Sequence, residues 1–398
     1  MKRLWNKLRF TWCGITKMLP YSSSFLDTTY KIYLNHSKVI HFRDGCPVYS
    51  LATPALYSKP QANLFARQFY KTITSKNLPN LMSFAVTPIC NAECKHCSFF
   101  EGAGPNKDER PMLTLTQAQK LIRDAQDIGV SLINFTGGEP LIREDLPEII
   151  GSINKDLSQA ILFTNGWFLA DKIDQLRKAG LDGVYISIDS ADPEKHDEFR
   201  RTKGLFHRAI NGIKKAKALG LTTGISCTIT PESFKDGELT RIIELAKKTG
   251  VHEVLVNDAL PTGRMRHRAD LDVSTNWVEE MIESVKPYND DVNYPGILVW
   301  AHTTSHRGLG CSCGANYFYV TPHGDICSCD FNHMIFGNVL KTPLFSIWDQ
   351  MTSMDDFCST KWGGCKIKDA EWQKNRDTVS STFRVYEKQP ESLRNEHV

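Results

Sequence analysis

The chain has 398 residues, with 48 lysines and arginines against 45 aspartates and glutamates, a formal net charge of +3, and 41% hydrophobic residues. A charge this close to balance does not indicate general nucleic-acid affinity, and 12 cysteines are too few for a secreted disulfide scaffold of this length. The length is ample for one barrel-sized domain and one small domain.

The first twenty residues are basic and amphipathic. They carry five lysines or arginines and no acid, interleaved with aromatic and aliphatic residues. Such a stretch can lie at a membrane interface or dock on the folded core, and its interrupted apolar pattern argues against a signal peptide. No run is long enough to span a bilayer. Residues 21–79 are weakly patterned, with strand-like pieces at 39–42 and 48–51 and a helix near 62–75, so residues 1–79 are interpreted as an N-terminal extension.

Three cysteines follow the first long apolar run in a C-x3-C-x2-C pattern: Cys90, Cys94 and Cys97. Three thiolates at this spacing can hold three corners of a cubane iron-sulfur cluster, which leaves one iron open for chemistry. The alternative is a structural zinc site or a fully ligated cluster. Zinc would need a fourth ligand nearby, and His96 is the one histidine inside the motif.

Strand-like and helix-like segments alternate after this motif. Apolar runs rich in β-branched residues occur at 81–87, 132–138, 160–166, 183–190, 222–230 and 253–260. Helical periodicity occurs at 114–128, 171–179, 205–219 and 235–249. Continuous apolar strands are typical of a parallel sheet that helices cover on both faces. We therefore predict an α/β fold, a partial (β/α)6 TIM-type barrel over residues 80–300, with its chemistry at the carboxyl ends of the strands.

Small polar motifs fall at the predicted strand ends. The second strand ends in Gly137-Gly138-Glu139-Pro140, where glycines allow close approach and a carboxylate can bind an ammonium group. The third ends in Thr164-Asn165-Gly166 and the fourth in Ser187-Ile188-Asp189-Ser190, and Arg200 follows in a position to pair with a carboxylate. The alternatives are ordinary turn chemistry, a helix cap at Ser187 and a surface cation at Arg200.

The ordered set of these motifs resembles the radical S-adenosylmethionine (radical SAM) superfamily over residues 80 to 300. The resemblance implies that Cys90, Cys94 and Cys97 hold a 4Fe-4S cluster whose open iron is chelated by S-adenosylmethionine. It implies that Gly137, Gly138 and Glu139 receive the methionine ammonium group. Ser187 and Arg200 would contact the ribose or the carboxylate, and His96 and Phe99 would pack near the adenine. Pro140, Asn165 and Asp189 complete the implied cofactor contacts.

A second cysteine set occupies the last third of the chain: Cys311, Cys313, Cys327, Cys329, Cys358 and Cys365. The segment resembles the SPASM/Twitch extension of radical SAM enzymes, and Gly324 and Cys329 match the spacing of its glycine and cysteine. We assign this small domain to residues 301–370 and expect a charged tail at 371–398. Six cysteines favour one auxiliary 4Fe-4S cluster held by Cys313, Cys329, Cys358 and Cys365, with Cys311 and Cys327 as alternates. Two clusters, buried thiols and a zinc ribbon stay open.

Asp258 lies near the end of the sixth predicted strand and is a candidate base for a substrate radical; the alternative is that it caps the turn. The basic turn from Pro261 to Arg268 could bind an anionic substrate or be a solvated loop. The resemblance implies cleavage of S-adenosylmethionine to a 5′-deoxyadenosyl radical that abstracts hydrogen from an unactivated C–H bond, giving oxidation, cross-linking or another functionalisation in natural-product or peptide maturation. A lipid or membrane-associated substrate is an alternative, and a non-catalytic electron-transfer protein is a further one.

The implied partners follow from the same chemistry. They are a peptide or small-molecule substrate and a low-potential electron donor such as flavodoxin or ferredoxin, with no nucleic acid. Grouped cysteines indicate metal binding in a reducing compartment, so we expect a cytoplasmic protein with peripheral membrane contact open through residues 1–20.

Overall fold

The computed structural model describes residues 34–74, 76–100, 108–268, 271, 276–354, 357, 365–368 and 384–385. The basic segment 1–20, Cys358 and most of the predicted tail lie outside these residues. Among the described helices, none is both long and apolar enough to cross a membrane.

A short hairpin opens the described chain. Strands β1 (His41–Arg43) and β2 (Cys46–Val48) pair antiparallel around Asp44 and Gly45, which both have positive φ, at 50° and 77°. Two such residues form the tight turn that matches the twist of a hairpin. Helix α1 (Lys59–Thr74) follows. The hairpin lies close to the two predicted strand-like pieces, and α1 covers the predicted helix.

The six predicted barrel strands are all present. They are β3 (Leu81–Ala85), β4 (Leu132–Thr136), β5 (Gln159–Thr164), β6 (Gly183–Ser187), β7 (Thr222–Ile229) and β8 (Glu253–Asp258). Each pairs in parallel with the next. The sheet extends on both sides, since β9 (Gly296–Val299) pairs with β8 and β10 (Tyr317–Val320) pairs with β3, both in parallel. Sheet pairing gives no contact between its two ends within the described chain, so the predicted open barrel is confirmed.

Helices connect and flank the parallel strands. They are α2 (Leu115–Asp127), α3 (Leu146–Gly151), α4 (Leu169–Lys178), α5 (Pro193–Arg200), α6 (Leu205–Ala218), α7 (Pro231–Lys235), α8 (Glu238–Thr249), α9 (Trp277–Ser284), α10 (Lys286–Asp290) and α11 (Trp300–Thr303). A capping box of Thr114 and Gln117 begins α2, and Asp192 caps α5 by accepting hydrogen bonds from two backbone amides. The cap at Thr114 explains why α2 begins where the sequence pattern places it, whereas α5 was not among the helices predicted from the sequence.

The C-terminal part of the chain continues the same sheet. Strand β10 pairs antiparallel with β11 (Asp325–Cys329), which pairs with β12 (Asn332–Asn338), and helix α12 (Leu344–Thr352) packs behind them. Strand β13 (Arg384–Val385), from the predicted tail, pairs in parallel with β12. The cysteine-bearing hairpin is therefore joined to the barrel through backbone hydrogen bonds and not through a flexible connection.

Candidate active site

The loop after β3 carries Cys90, Cys94 and Cys97 into a cavity of about 260 Å³, the smaller cavity. Burial raises the pKa of Cys90 to about 12, and it also raises the pKa values of Cys94 and Cys97. A cysteine thiol must be ionised to the thiolate to bind metal, and a bound cationic centre compensates the cost of burying that charge. The three thiols therefore fit an iron-sulfur centre.

The turn after β8 holds this loop in place. Arg264 donates from its backbone amide to the carbonyl of Cys97 (3.0 Å) and from its guanidinium to the carbonyl of Cys94 (2.9 Å). A Cβ on Gly263, whose φ is +53°, would overlap the carbonyl oxygen of Cys97. We interpreted this turn from sequence as a substrate-binding or solvated loop, whereas Arg264 contacts the cysteine loop.

The two glycines at the end of β4 let the chain pair closely with the same loop. The amide of Gly138 donates to the carbonyl of Thr87, and that of Glu139 donates to the carbonyl of Ile89, both at 2.8 Å. A Cβ on Gly138 would overlap the Ile89 carbonyl. Pro140 is buried and begins a short 3-10 turn (Pro140–Ile142). The GGEP segment thus lies directly against the residue that precedes Cys90.

The Glu139 carboxylate is fully buried and accepts three hydrogen bonds. Thr164 Oγ1 (2.6 Å) and the amide of Leu141 (3.1 Å) donate to Oε1, and the amide of Asn165 (2.8 Å) donates to Oε2. Burial raises its pKa to about 7, although these hydrogen bonds oppose the rise. Two carboxylate oxygens offer about four acceptor positions, so Oε2 keeps one for an ammonium group.

We predict that Glu139→Gln weakens S-adenosylmethionine binding about 10- to 100-fold at pH 8, because it removes a charge-assisted hydrogen bond of about 1.5–3 kcal/mol. Equilibrium dialysis against labelled S-adenosylmethionine measures this. Since the free carboxyl group has a pKa of about 7, wild-type affinity should rise between pH 6 and pH 8 and the variant's affinity should not.

Glu253 offers a matched control. It is equally buried, its pKa is also raised to about 7 by burial, and it lies at the opposite end of the strands, at the start of β8. Glu253→Gln should leave S-adenosylmethionine affinity unchanged. Equal weakening in both variants would show that the loss reflects general destabilisation and not a contact at Glu139.

Arg200 is buried and forms an ion pair inside the site. Its Nε donates to Asp189 Oδ2 at 2.7 Å, and its Nη1 lies 3.7 Å from the sulfur of Cys94. Burial alone would raise the pKa of Asp189, yet the charge of Arg200 lowers it to about 2. The surface-cation alternative is therefore wrong for Arg200. Ser187 lines the same cavity, and the residue that caps α5 is Asp192.

The remaining predicted cofactor contacts surround the smaller cavity. His96 stacks on Phe199 with ring centroids 4.8 Å apart, and burial lowers its pKa to about 4. Phe99 makes an edge contact with Phe100. The Asn165 side chain donates to the Asn91 side chain at 2.8 Å, which connects the third strand end to the cysteine loop. His96, Phe99 and Asn165 all line this cavity.

A second group of thiols lines a cavity of about 410 Å³, the larger cavity: Cys311, Cys313, Cys329 and Cys365. The thiol of Cys313 lies within hydrogen-bond distance of those of Cys311 and Cys329, and these contacts together with burial raise its pKa. Within the described residues, no three His, Cys, Asp or Glu side chains converge around a single point as they would around one ion. A cubane takes each thiolate at a different iron, so its ligands surround a cavity.

The two alternate ligands have different surroundings. Cys311 belongs to the four-thiol group, whereas Cys327 packs against Ala85, Tyr319 and Ile335 and lines neither cavity. A bulge in the pairing of β11 with β12 separates Cys327 from Cys329. Cys358 lies outside the described residues, so its predicted role as a ligand stays a prediction.

The two cavities meet along eight residues, the shared wall: Thr136, Phe163, Asn257, Asp258, Ala259, Leu260, Asp330 and Phe331. Asp258 forms an ion pair with Lys368, three residues after Cys365. Asp330 accepts a hydrogen bond from the hydroxyl of Tyr317, and burial raises its pKa. Sequence reasoning missed Asp330, although its position directly after Cys329 was a usable signal.

Two family models match the chain. The radical SAM superfamily model matches residues 84–246, and an iron-sulfur cluster-binding domain model, SPASM, matches residues 311–369. These matches confirm the resemblance seen in the motifs.

Characterised relatives differ in the reactions their names state. The AdoMet-dependent heme synthase of Methanosarcina barkeri is 29% identical over 298 residues, covering 70% of this chain and 84% of that protein. The GTP 3′,8-cyclase of Peptoclostridium acidaminophilum is 28% identical over 221 residues, covering 54% and 67%. Streptococcus suis SuiB bound to precursor peptide SuiA superposes with a TM-score of 0.56 at 14% identity, covering 72% of this chain and 69% of that one. That last likeness establishes the fold.

Proposed function

Because the chain belongs to the radical SAM superfamily and carries a C-terminal SPASM domain, we propose that it is an oxidising enzyme whose substrate binds between two iron-sulfur centres. Cys90, Cys94 and Cys97 would hold the first centre, with S-adenosylmethionine at Gly137, Gly138 and Glu139. Bound there, S-adenosylmethionine supplies the 5′-deoxyadenosyl radical that abstracts hydrogen from an unactivated C–H bond. Cys311, Cys313, Cys329 and Cys365 would hold an auxiliary cluster that can accept an electron.

The shared wall is the observation that carries the proposal. Asn257, Asp258 and Asp330 line both the smaller cavity, which holds the C-x3-C-x2-C cysteines, and the larger cavity, which holds the second thiol group. A substrate carbon at this wall is accessible from both cavities. The barrel strands and the hairpin continuous with them keep this arrangement fixed, which orients the substrate and excludes water.

Asp330 fits the role of proton acceptor at this wall better than the predicted Asp258. Its pKa is raised by burial, and a general base is most effective when its pKa lies near the operating pH. Tyr317 donates a hydrogen bond to its carboxylate and so orients it. The Asp258 carboxylate is already engaged in an ion pair with Lys368. After hydrogen abstraction, the substrate radical would lose one proton to Asp330 and one electron to the auxiliary cluster. Together these steps amount to a two-electron oxidation of the substrate.

The described contacts of the basic turn, from Pro261 to Arg268, do not favour an anionic substrate there. Arg264 binds the carbonyls of the cysteine loop, and Arg268 pairs with Glu232 at 2.6 Å. Peptide and uncharged small-molecule substrates both fit this proposal, and SuiB, with its precursor peptide, shares the fold.

We also propose the division into residues 1–79, 80–300, 301–370 and 371–398, a flavodoxin or ferredoxin as electron donor, and a cytoplasmic location. Loss of membrane partitioning on deletion of residues 1–20 would support peripheral membrane contact and a lipid substrate.

The proposal is tested by comparing wild type with Cys329→Ala and Cys327→Ala after anaerobic reconstitution. Wild type should form 5′-deoxyadenosine from S-adenosylmethionine and a reductant. Cys329→Ala should lose about four iron atoms per chain and keep some of this uncoupled cleavage. Cys327→Ala, which removes a thiol two residues away that lines neither cavity, should keep all its iron.

Three outcomes would count against the proposal. Equal iron in both variants would show that Cys329 holds no cluster, and a loss of iron in Cys327→Ala alone would reassign the ligand. Wild-type protein that binds iron and forms no 5′-deoxyadenosine would favour a non-catalytic electron carrier.

A further inference from the structure

A segment from the N-terminal extension closes the amino end of the barrel. Residues 49–56 follow the β1–β2 hairpin, and Leu51 packs fully buried among residues from β4, β5, β6, β8 and β9. These are Leu132, Ile161, Tyr185, Leu255 and Leu298. The sequence did not assign a role to this segment, whose strand-like pattern ends at residue 51.

Two glycines make room for Leu51 inside the barrel. A Cβ on Gly183, in β6, would overlap the Leu51 side chain, and one on Gly224, in β7, would lie 3.0 Å from it. The Leu51 amide donates to Glu253 Oε2 at 2.8 Å, and the hydroxyl of Tyr185 donates to the same oxygen. Leu51 is therefore held by a buried acid at the start of β8 and by matched gaps in two strands.

The larger cavity begins at Leu51 and extends to the auxiliary thiols. In β4, the inward-facing residues Leu132, Asn134 and Thr136 all line it, from the first residue of the strand to the last. Four steps of about 3.3 Å give a depth of about 13 Å. Closed barrels are usually filled by large branched side chains. Here Ser83 and Asn134 occupy interior positions of neighbouring strands in register and leave the space open.

We infer that Leu51 is the floor of the substrate cavity and that the substrate places an elongated, mainly apolar group along the barrel axis down to it. This inference rests on the proposed function, because that function puts the reacting carbon at the shared wall. Leu81, Leu132 and Leu255 give the space below that wall its apolar character. Leu51 then limits the length of the group that fits, which makes it a specificity-determining residue.

The test measures binding of 1-alkanols from six to twelve carbons to the reconstituted, S-adenosylmethionine-loaded holoenzyme, by displacement of Nile red. Affinity should rise about fourfold per methylene, from about 0.8 kcal/mol each, until the chain end reaches the floor, and then stop rising. Leu51→Ala should move this limit to chains longer by about two carbons, since it removes a branched end of three carbons. Leu51→Val should move it by about one.

Leu34→Ala is the matched control. Leu34 is equally buried in the same cluster as Leu51 but does not line the cavity, so the variant creates space beneath the floor. Its limit should stay that of wild type. The inference is overturned if wild type shows no chain-length limit, if neither Leu51 variant moves it, or if Leu34→Ala moves it as far. If wild type forms 5′-deoxyadenosine normally but shows no chain-length limit, this inference alone is refuted. If wild type shows the chain-length limit but forms no 5′-deoxyadenosine, the proposed function alone is refuted.

Discussion

Replacement of Cys94 by alanine is expected to reduce 5′-deoxyadenosine formation to background. Cys94 is a buried residue, and its sulfur lies beside the buried guanidinium of Arg200. A cluster held by two thiolates in place of three loses a ligand, and no other described cysteine lines the smaller cavity. The measurement is chromatographic quantification of 5′-deoxyadenosine after anaerobic reconstitution, with iron counted in the same sample.

Cys227→Ala serves as the control for Cys94→Ala. Cys227 is fully buried in β7, and its thiol donates to the carbonyl of Leu255, outside both thiol groups. This variant removes one buried sulfur from the same barrel and should keep its iron and its product. Unchanged 5′-deoxyadenosine formation by Cys94→Ala would remove Cys94 from the ligand set and refute the assignment of the motif.

Gly263→Ala is expected to slow 5′-deoxyadenosine formation about 100-fold, although Gly263 contributes no ligand. Its Cβ would overlap the Cys97 carbonyl and lie 2.7 Å from the Cα of Ser98, so the cysteine loop must shift. A displacement of about 1 Å in a reacting group can cost that factor. The readouts are iron retained per chain, the electron paramagnetic resonance signal of the reduced first cluster, and the initial rate.

Gly220→Ala separates this effect from the backbone cost of losing a glycine. Gly220 also has a positive φ, at +71°, but nothing lies within 4 Å of the Cβ it would acquire. Both variants carry the conformational cost of an alanine at positive φ, and only Gly263→Ala should also displace the cysteine loop. Equal rates in the two variants would mean that the turn after β8 does not position the cluster.

The strands and the first cysteine triad could be predicted because their signals are local. The run 222–230 places Ile225, Cys227 and Ile229 on one face, and β7 occupies Thr222–Ile229. Glu139 was also recognised, but its hydrogen bonds from Thr164 and Asn165 join two different strand ends and could not be seen in the sequence.

The rest of the site depends on contacts between distant parts of the chain. In the sequence, Arg264 is one residue of a basic turn. Only the fold places it against the carbonyls of Cys94 and Cys97. Leu51 belongs to a weakly patterned segment, and its role follows from Gly183 and Gly224, which are more than 130 residues away. Pattern and propensity carry no information about which glycine faces which leucine.

The parallel pairing of β3 with β10 has a consequence for folding during synthesis. Leu81 pairs with Tyr317, so one edge of the barrel stays uncovered until most of the chain has left the ribosome. A nascent chain that stalled before residue 317 would expose β3 as an unpaired strand edge, beside an exposed apolar interior. Such an edge can pair with strands of other chains and so favours aggregation.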